Sequence, residues 1–209
     1  MQRVKYKDGI SIIVTLYNKE EYILACLASA INQFKNNSEK YQIIVVDDGS
    51  FDSSFKLAKD FLKSSKIDYK IFTQKNSGPS IATNNAIKFI KYSYIKLLDG
   101  DDIIAPDSLD YMKSQMRKHD IDLLYGNWDW SSDPVKYNFE EHKPESEEIL
   151  NAFEKFIVNG WGGSSNLMIR TEALITVGGC DESIFVQDYS LPLRVAGNQY
   201  ISKDSKRSL

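Results

Sequence analysis

Tyr94-Ile95-Lys96-Leu97-Leu98 runs directly into Asp99-Gly100-Asp101-Asp102. A short, mostly apolar run of this kind is long enough for a buried strand and too short for a helix with its own hydrophobic face. It ends in three carboxylates within four residues, more than turn chemistry requires. The same pattern lies upstream, where Ile43-Ile44-Val45-Val46 meets Asp47-Asp48-Gly49-Ser50. Ile10 to Thr15 is a third apolar, β-branched run, suited to a strand covered on both faces. Helical patterns separate these runs, and such alternation predicts an α/β fold with a mostly parallel central sheet flanked by helices.

Working outward, Asn18 and Glu21 have the spacing of a capping box, with Ile23, Leu27, Ile31 and Phe34 forming one apolar stripe behind them. Asp52 is placed to cap a second helix whose Phe55, Ala58 and Phe61 face inward. Ile67 to Phe72 reads as a third strand. The loop Asn76-Ser77-Gly78-Pro79 introduces a helix with Ala82, Ala86 and Ile90 on one face. Pro106 suits the first residue of a further helix, with Leu109, Met112 and Met116 toward the core. Ile121 to Tyr125 and Ser165 to Arg170 read as strands, Ser131 to Glu147 as a long mobile loop, and Asp188 to Ala196 as a short helix.

Bulk properties narrow the function. The 209 residues suffice for one sizeable domain. A formal net charge of −3, with 26% charged residues, gives no electrostatic reason to expect nucleic acid as a partner. Two cysteines, Cys26 and Cys180, are too few for a disulfide framework and read as buried or free thiols of a reducing compartment. No apolar stretch approaches the ~20 residues of a membrane span, and the polar segment Met1 to Asp8 lacks the run of a secretory signal. The expectation is a soluble, cytoplasmic protein.

In a parallel α/β sheet, ligands bind in the crevice beyond the carboxyl ends of the strands. Asp47 and Asp48 would meet Asp99, Asp101 and Asp102 there. Carboxylates packed together repel one another unless a cation lies between them. Hard oxygen ligands favour Mg2+, Mn2+ or Ca2+ over zinc, and Mg2+ or Mn2+ completes its shell with phosphate and water. The pattern therefore predicts a phosphate-bearing ligand as well as a metal. For any single aspartate here, helix capping or turn formation is the favoured reading; for Asp99-Gly100-Asp101-Asp102 taken whole, ligand binding is.

Ser11 to Asn18, Val45 to Ser50 and Leu97 to Asp102, in that order, resemble the family 2 glycosyltransferases of the GT-A fold. The resemblance extends to Gly178-Gly179-Cys180-Asp181-Glu182 and to Gln187 through Arg194. It implies one GT-A domain over 1–209, with a nucleotide-sugar-binding half, 1–102, and an acceptor-binding half, 103–209, that ends where relatives usually continue. It implies an inverting transferase that moves a sugar from a UDP-sugar to a hydroxyl of a glycan or lipid-linked acceptor. The setting implied is surface polysaccharide synthesis, at the inner face of the cell membrane.

Carried over by position, Thr15, Tyr17, Asp47, Asp48 and Asp99 would bind the nucleotide, Asp48 through the imide N–H of the base. Asp101, with Asp99, would hold Mn2+ or Mg2+, and Asp188 would be the catalytic base. Asp188 has a helix N-cap as its structural alternative. Trp128 and Trp161 lie where an acceptor sugar would stack, and core packing is the equal alternative. Two departures stand out: Gln187 replaces a usual glutamate, and Thr83 replaces a usual arginine. They leave open a catalytically inactive nucleotide-sugar-binding protein on the same fold. A sugar-nucleotide nucleotidyltransferase fits less well, because Thr15 to Asn18 stands where its glycine-rich loop would be.

Overall fold

The computed structural model describes residues 6–33, 40–133, 136–137, 139, 157, 163–184 and 187–205. Strand β1 (Lys7–Leu16) lies in the middle of a sheet of order β3-β2-β1-β4-β6-β5, its partners being β2 (Tyr41–Asp47) and β4 (Tyr92–Asp99). The pairs β1–β2, β1–β4 and β2–β3 (Tyr69–Thr73) are parallel. β6 (Leu167–Arg170) runs antiparallel to both β4 and the short edge strand β5 (Leu123–Tyr125). The predicted α/β class and mostly parallel sheet are therefore observed, with two antiparallel pairings on one side.

The apolar runs explain why β1, β2 and β4 are central. Ile10, Ile12, Val14 and Leu16 enter one core layer, while Ile13 joins Ile44, Val46, Ile95 and Leu97 in the other. Side chains alternate faces along a strand, so an unbroken apolar run suits a sheet covered on both sides. The covering helices are α1 (Ile23–Asn32), α2 (Ser54–Ser64), α3 (Pro79–Ile87), α4 (Ser108–Lys118), α5 (Thr171–Thr176) and α6 (Gln187–Ser205). Among the described residues no helix is long and apolar enough to cross a membrane. Cys26 and Cys180 are both free and buried, as expected.

Several boundaries differ from the sequence reading. Helix α1 starts at Ile23, and Asn18 adopts a positive φ of 51° and forms no capping box. Its side chain instead accepts the Phe51 N–H (3.0 Å), and its N–H donates to Ser50 Oγ (2.9 Å). Long-range partners thus outweigh the local cap. The buried positions of α2 are Ser54, Ala58 and Leu62, whereas Phe55 is only half-buried. Asp52 does accept the Ser54 N–H (2.9 Å) at the start of that helix.

Pro106 lies before α4, whose N-cap is Asp107 in the left-handed region. Helix α5 carries no signal the sequence reading used. Helix α6 extends well past Ala196. Phe34, most of Ser131 to Glu147, and Trp161 lie outside the described residues.

Candidate functional site

β1, β2 and β4 end side by side, with Thr15 opposite both Val46 and Asp99, and Leu16 opposite Asp47. Two further bonds close the rim: the Asp48 N–H donates to the Leu16 carbonyl (2.7 Å) and the Gly100 N–H to the Thr15 carbonyl (2.9 Å). A Cβ on Gly100 would stand 3.0 Å from Leu16 Cδ1 and 3.2 Å from the Thr15 carbonyl. A side chain there would press on β1, so the close approach of the acidic turn is eased by glycine. The predicted crevice carboxylates are thus brought together at one edge of the sheet.

Their environments diverge sharply. Asp47 is buried; its carboxylate accepts from the Ser50 N–H (3.3 Å) and from Thr73 Oγ1 (2.8 Å), fastening the turn after β2 to β3. Asp48 is buried as well and accepts from Gln74 Nε2 (2.9 Å) and from the backbone N–H groups of Ser77 and Gly78 (2.8 Å each). Charge-assisted bonds of this kind fix a carboxylate firmly. The loop 74–78 is therefore held against the end of β2 by Asp48. Tyr17, 41% exposed, stands at the mouth with its ring edge-on to the exposed Phe51.

At the other end of the crevice, Asp99 accepts from Thr15 Oγ1 (2.7 Å) and, on its second oxygen, from Ser164 Oγ (2.5 Å). Asp101 is half-exposed and carries the Lys19 ammonium at 2.5 Å. That contact, and beyond it the charges of Asp99 and Asp102, raises the Lys19 pKa despite an opposing burial effect. Asp102 keeps an exposed edge, yet partial burial, followed by the like charges of Asp99 and Asp101, raises its carboxyl. Among the described residues no three His, Cys, Asp or Glu side chains form a self-sufficient metal cage. The donor set, one accessible carboxylate beside a second that is hydroxyl-bonded, suits a Mg2+ or Mn2+ ion that takes its remaining ligands from phosphate and water.

Asp188 lies in the first turn of α6, so it is not a simple N-cap residue. Its Oδ2 accepts the Gly163 N–H at 2.8 Å. Gly163 has a φ of 113°, a conformation that side-chain-bearing residues avoid. Pro192, four residues on, has no N–H to donate to the Asp188 carbonyl. The Tyr125 hydroxyl occupies that place at a long 3.5 Å, and burial, then the Asp188 charge, raises the Tyr125 pKa. Ser164 and Ser165, next to Gly163, bind Asp99: Ser165 Oγ accepts the Asp99 N–H (2.8 Å). A single turn, 163–165, therefore touches both Asp99 and Asp188.

Four contributors escaped sequence reasoning. Ser164 and Ser165 are ordinary residues in a weakly patterned stretch. Lys19 gave no periodic signal. Lys96, 2% exposed, did leave one: a lysine inside an otherwise apolar strand. Of the remaining predicted positions, Thr83 is fully buried in α3, and Trp128 is 71% exposed just beyond β5.

The matches to known proteins agree with this geometry. The model of the family described as "Glycosyl transferase family 2" matches residues 11–178. Glycosyltransferase GlyA of Streptococcus pneumoniae is 35% identical over 123 residues, 58% of this chain and 17% of that protein. The structure of S. aureus TarS 1-349 in complex with UDP-GlcNAc superposes with a TM-score of 0.71 at 22% identity, covering 91% of this chain and 54% of that one. The mannosyltransferase PcManGT from Pyrobaculum calidifontis, in complex with GDP-Man and Mn2+, gives 0.65 at 15% identity, covering 88% and 50%. The chain thus spans a sixth to about a half of the length of these relatives. With a family model matched over most of its length and a strand-end crevice of the corresponding fold, the chain belongs to glycosyltransferase family 2.

Proposed function

We propose that this chain binds a nucleoside diphosphate sugar, UDP-linked by preference, and transfers the sugar with inversion to a hydroxyl of a glycan or lipid-linked acceptor in surface polysaccharide synthesis. The supporting observation is the turn 163–165, which joins the Asp99 side of the crevice to Asp188. Donor phosphates and an acceptor base must lie within one substrate's reach of each other. The complexes of TarS with UDP-GlcNAc and of PcManGT with GDP-Man and Mn2+ support a nucleotide-sugar ligand on this fold.

In this reading Asp48, with Thr15 and Tyr17 nearby, orients the base and ribose, while Asp47 holds the turn that carries Asp48. Asp101, with Asp99 beside it, would hold Mn2+ or Mg2+, which supplies charge neutralisation to the diphosphate. Asp188 accepts the acceptor hydroxyl proton as that oxygen bonds to the anomeric carbon and the bond from that carbon to the diphosphate oxygen breaks. The hydroxyl becomes acidic only as its new bond forms, so an ordinary carboxylate suffices. One base and no enzyme nucleophile give a single displacement, hence inversion. Trp128 offers an aromatic face to an acceptor sugar; Trp161, outside the described residues, is its proposed companion. The site of action proposed is the cytoplasmic face of the cell membrane.

Calorimetric titration with UDP, GDP and dTDP, each with Mn2+ and again with chelator, tests the donor reading. The expected result is tight binding of UDP that requires the metal. A folded sample that binds none of the three would overturn the donor reading, and the inactive nucleotide-sugar-binding alternative with it.

A further inference from the structure

Two lysines flank the acidic cluster, and they differ in kind. Lys19 approaches from the solvent side on a half-exposed side chain. Lys96 lies beneath, in the centre of β4, opposite Ile12 of β1 and Met168 of β6. It is among the largest fully buried side chains of the protein. A lysine in such a place loses its hydration, and burial pushes its pKa down to about 7, against the pull of Asp102 and Asp99. An aliphatic residue would fill this strand position without that penalty. The lysine is therefore costly, and its one polar contact among the described residues indicates its use: the Nζ donates to the carbonyl of Ser165.

Ser165 belongs to the turn that touches both ends of the reaction centre. Its Oγ receives the Asp99 N–H, its neighbour Ser164 donates to the Asp99 carboxylate, and Gly163 donates to Asp188. The turn has a positive φ at Gly163 and leads into a single 3-10 turn, Ser164–Asn166, before β6 begins. So short an element cannot hold its own position by helical hydrogen bonding.

We propose that Lys96 is a positioning residue. It pins the Ser165 carbonyl from below, so that the turn 163–165 keeps Asp99 and Asp188 in fixed register. The Asp48 end of the crevice shares none of these partners, being built on Gln74, Ser77 and Gly78. This assignment of Lys96 rests on the roles proposed above for Asp99 and Asp188, but the physical tie can be tested without them.

The experiment compares the full chain with Lys96→Met, which keeps the bulk and removes the donor, and Lys96→Gln, which restores an N–H. Amide exchange read by NMR should accelerate about fivefold or more at Gly163 and Asp99 in Lys96→Met, the scale of one lost hydrogen bond, while Ser77 and Gly78 stay unchanged. Lys96→Gln should recover part of that protection. Turnover of UDP-N-acetylglucosamine to UDP and free sugar should fall about 10- to 100-fold in kcat with little change in KM.

Equal acceleration at all four amides, acceleration at none, or failure of both variants to fold would make Lys96 a plain structural residue and overturn the proposal. Asp188→Asn in the same turnover assay separates the two readings. If that variant retains full turnover, the role of Asp188 falls, while the exchange pattern still decides the role of Lys96.

Discussion

The two ends of the crevice hold their carboxylates in opposite ways. At the β2 end, Asp48 is buried and already receives three N–H donors from the loop 74–78. Its oxygens are held by the protein's own neutral donors. At the β4 end, Asp99, Asp101 and Asp102 crowd into four residues, Asp101 meets a half-exposed lysine, and Asp102 is held above its ordinary pKa by burial and by its acidic neighbours. A satisfied carboxylate is a fixed fixture, suited to reading a shape. A crowded, incompletely neutralised group is where a ligand brings its own positive charge. Under the proposed function, this difference separates a recognition end from a reaction end within one sheet edge.

Four changes would sharpen or break that contrast, and the largest effect is expected at the reaction end. Asp188→Asn keeps an oxygen to accept the Gly163 N–H but removes the proposed base, so transfer should fall about 10²- to 10⁴-fold with UDP affinity retained. Steady-state kinetics beside calorimetry checks this. Asp101→Ala comes next: the dependence of UDP binding on Mn2+ should disappear, read as equal affinity with and without chelator.

At the recognition end, Asp48→Asn turns an amide toward donors it cannot fully satisfy. It should cost about 1–3 kcal/mol in stability and loosen the loop 74–78, measured by urea unfolding. If Asp48→Asn were silent in stability while abolishing UDP binding, the carboxylate would not be the fixture described above.

The smallest effect is a pH dependence. The Lys96 pKa in the fold, about 7, lies below its ordinary 10.5. Between these values the unfolded chain binds more protons, so stability should rise with pH, by at most about 1.4 kcal/mol per pH unit for one group. Lys19, shifted upward, contributes stability lost only above 10.5, outside this window. Urea midpoints at pH 7, 8 and 9 should climb in the wild type, and Lys96→Met should remove the climb.

Much of this molecule was legible in its sequence because the central strands are nearly pure. β1, β2 and β4 carry apolar runs that can be buried on both faces, and acidic turns mark their ends. Neighbouring parallel strands then bring Asp47, Asp48 and Asp99 to one rim without further information. Local signals failed where distant groups competed for the same atoms. Asn18 spends its amide on Phe51 across the crevice instead of capping α1. Asp107, in the left-handed region, starts α4 where Pro106 looked the better first residue.

By itself, then, the sequence determined the α/β class, the crevice and the identity of its carboxylates, since strand burial and chain order are local, periodic properties. Tertiary structure alone decided which carboxylates are satisfied and what joins them. The turn 163–165 lies some 65 residues from Asp99 along the chain, and only the antiparallel pairing of β6 with β4 brings Ser164 onto its carboxylate, Ser165 onto its backbone N–H and Lys96 beneath them. Hydrogen bonds between groups so far apart leave no periodic trace in a sequence, because each depends on a contact that neither segment specifies alone.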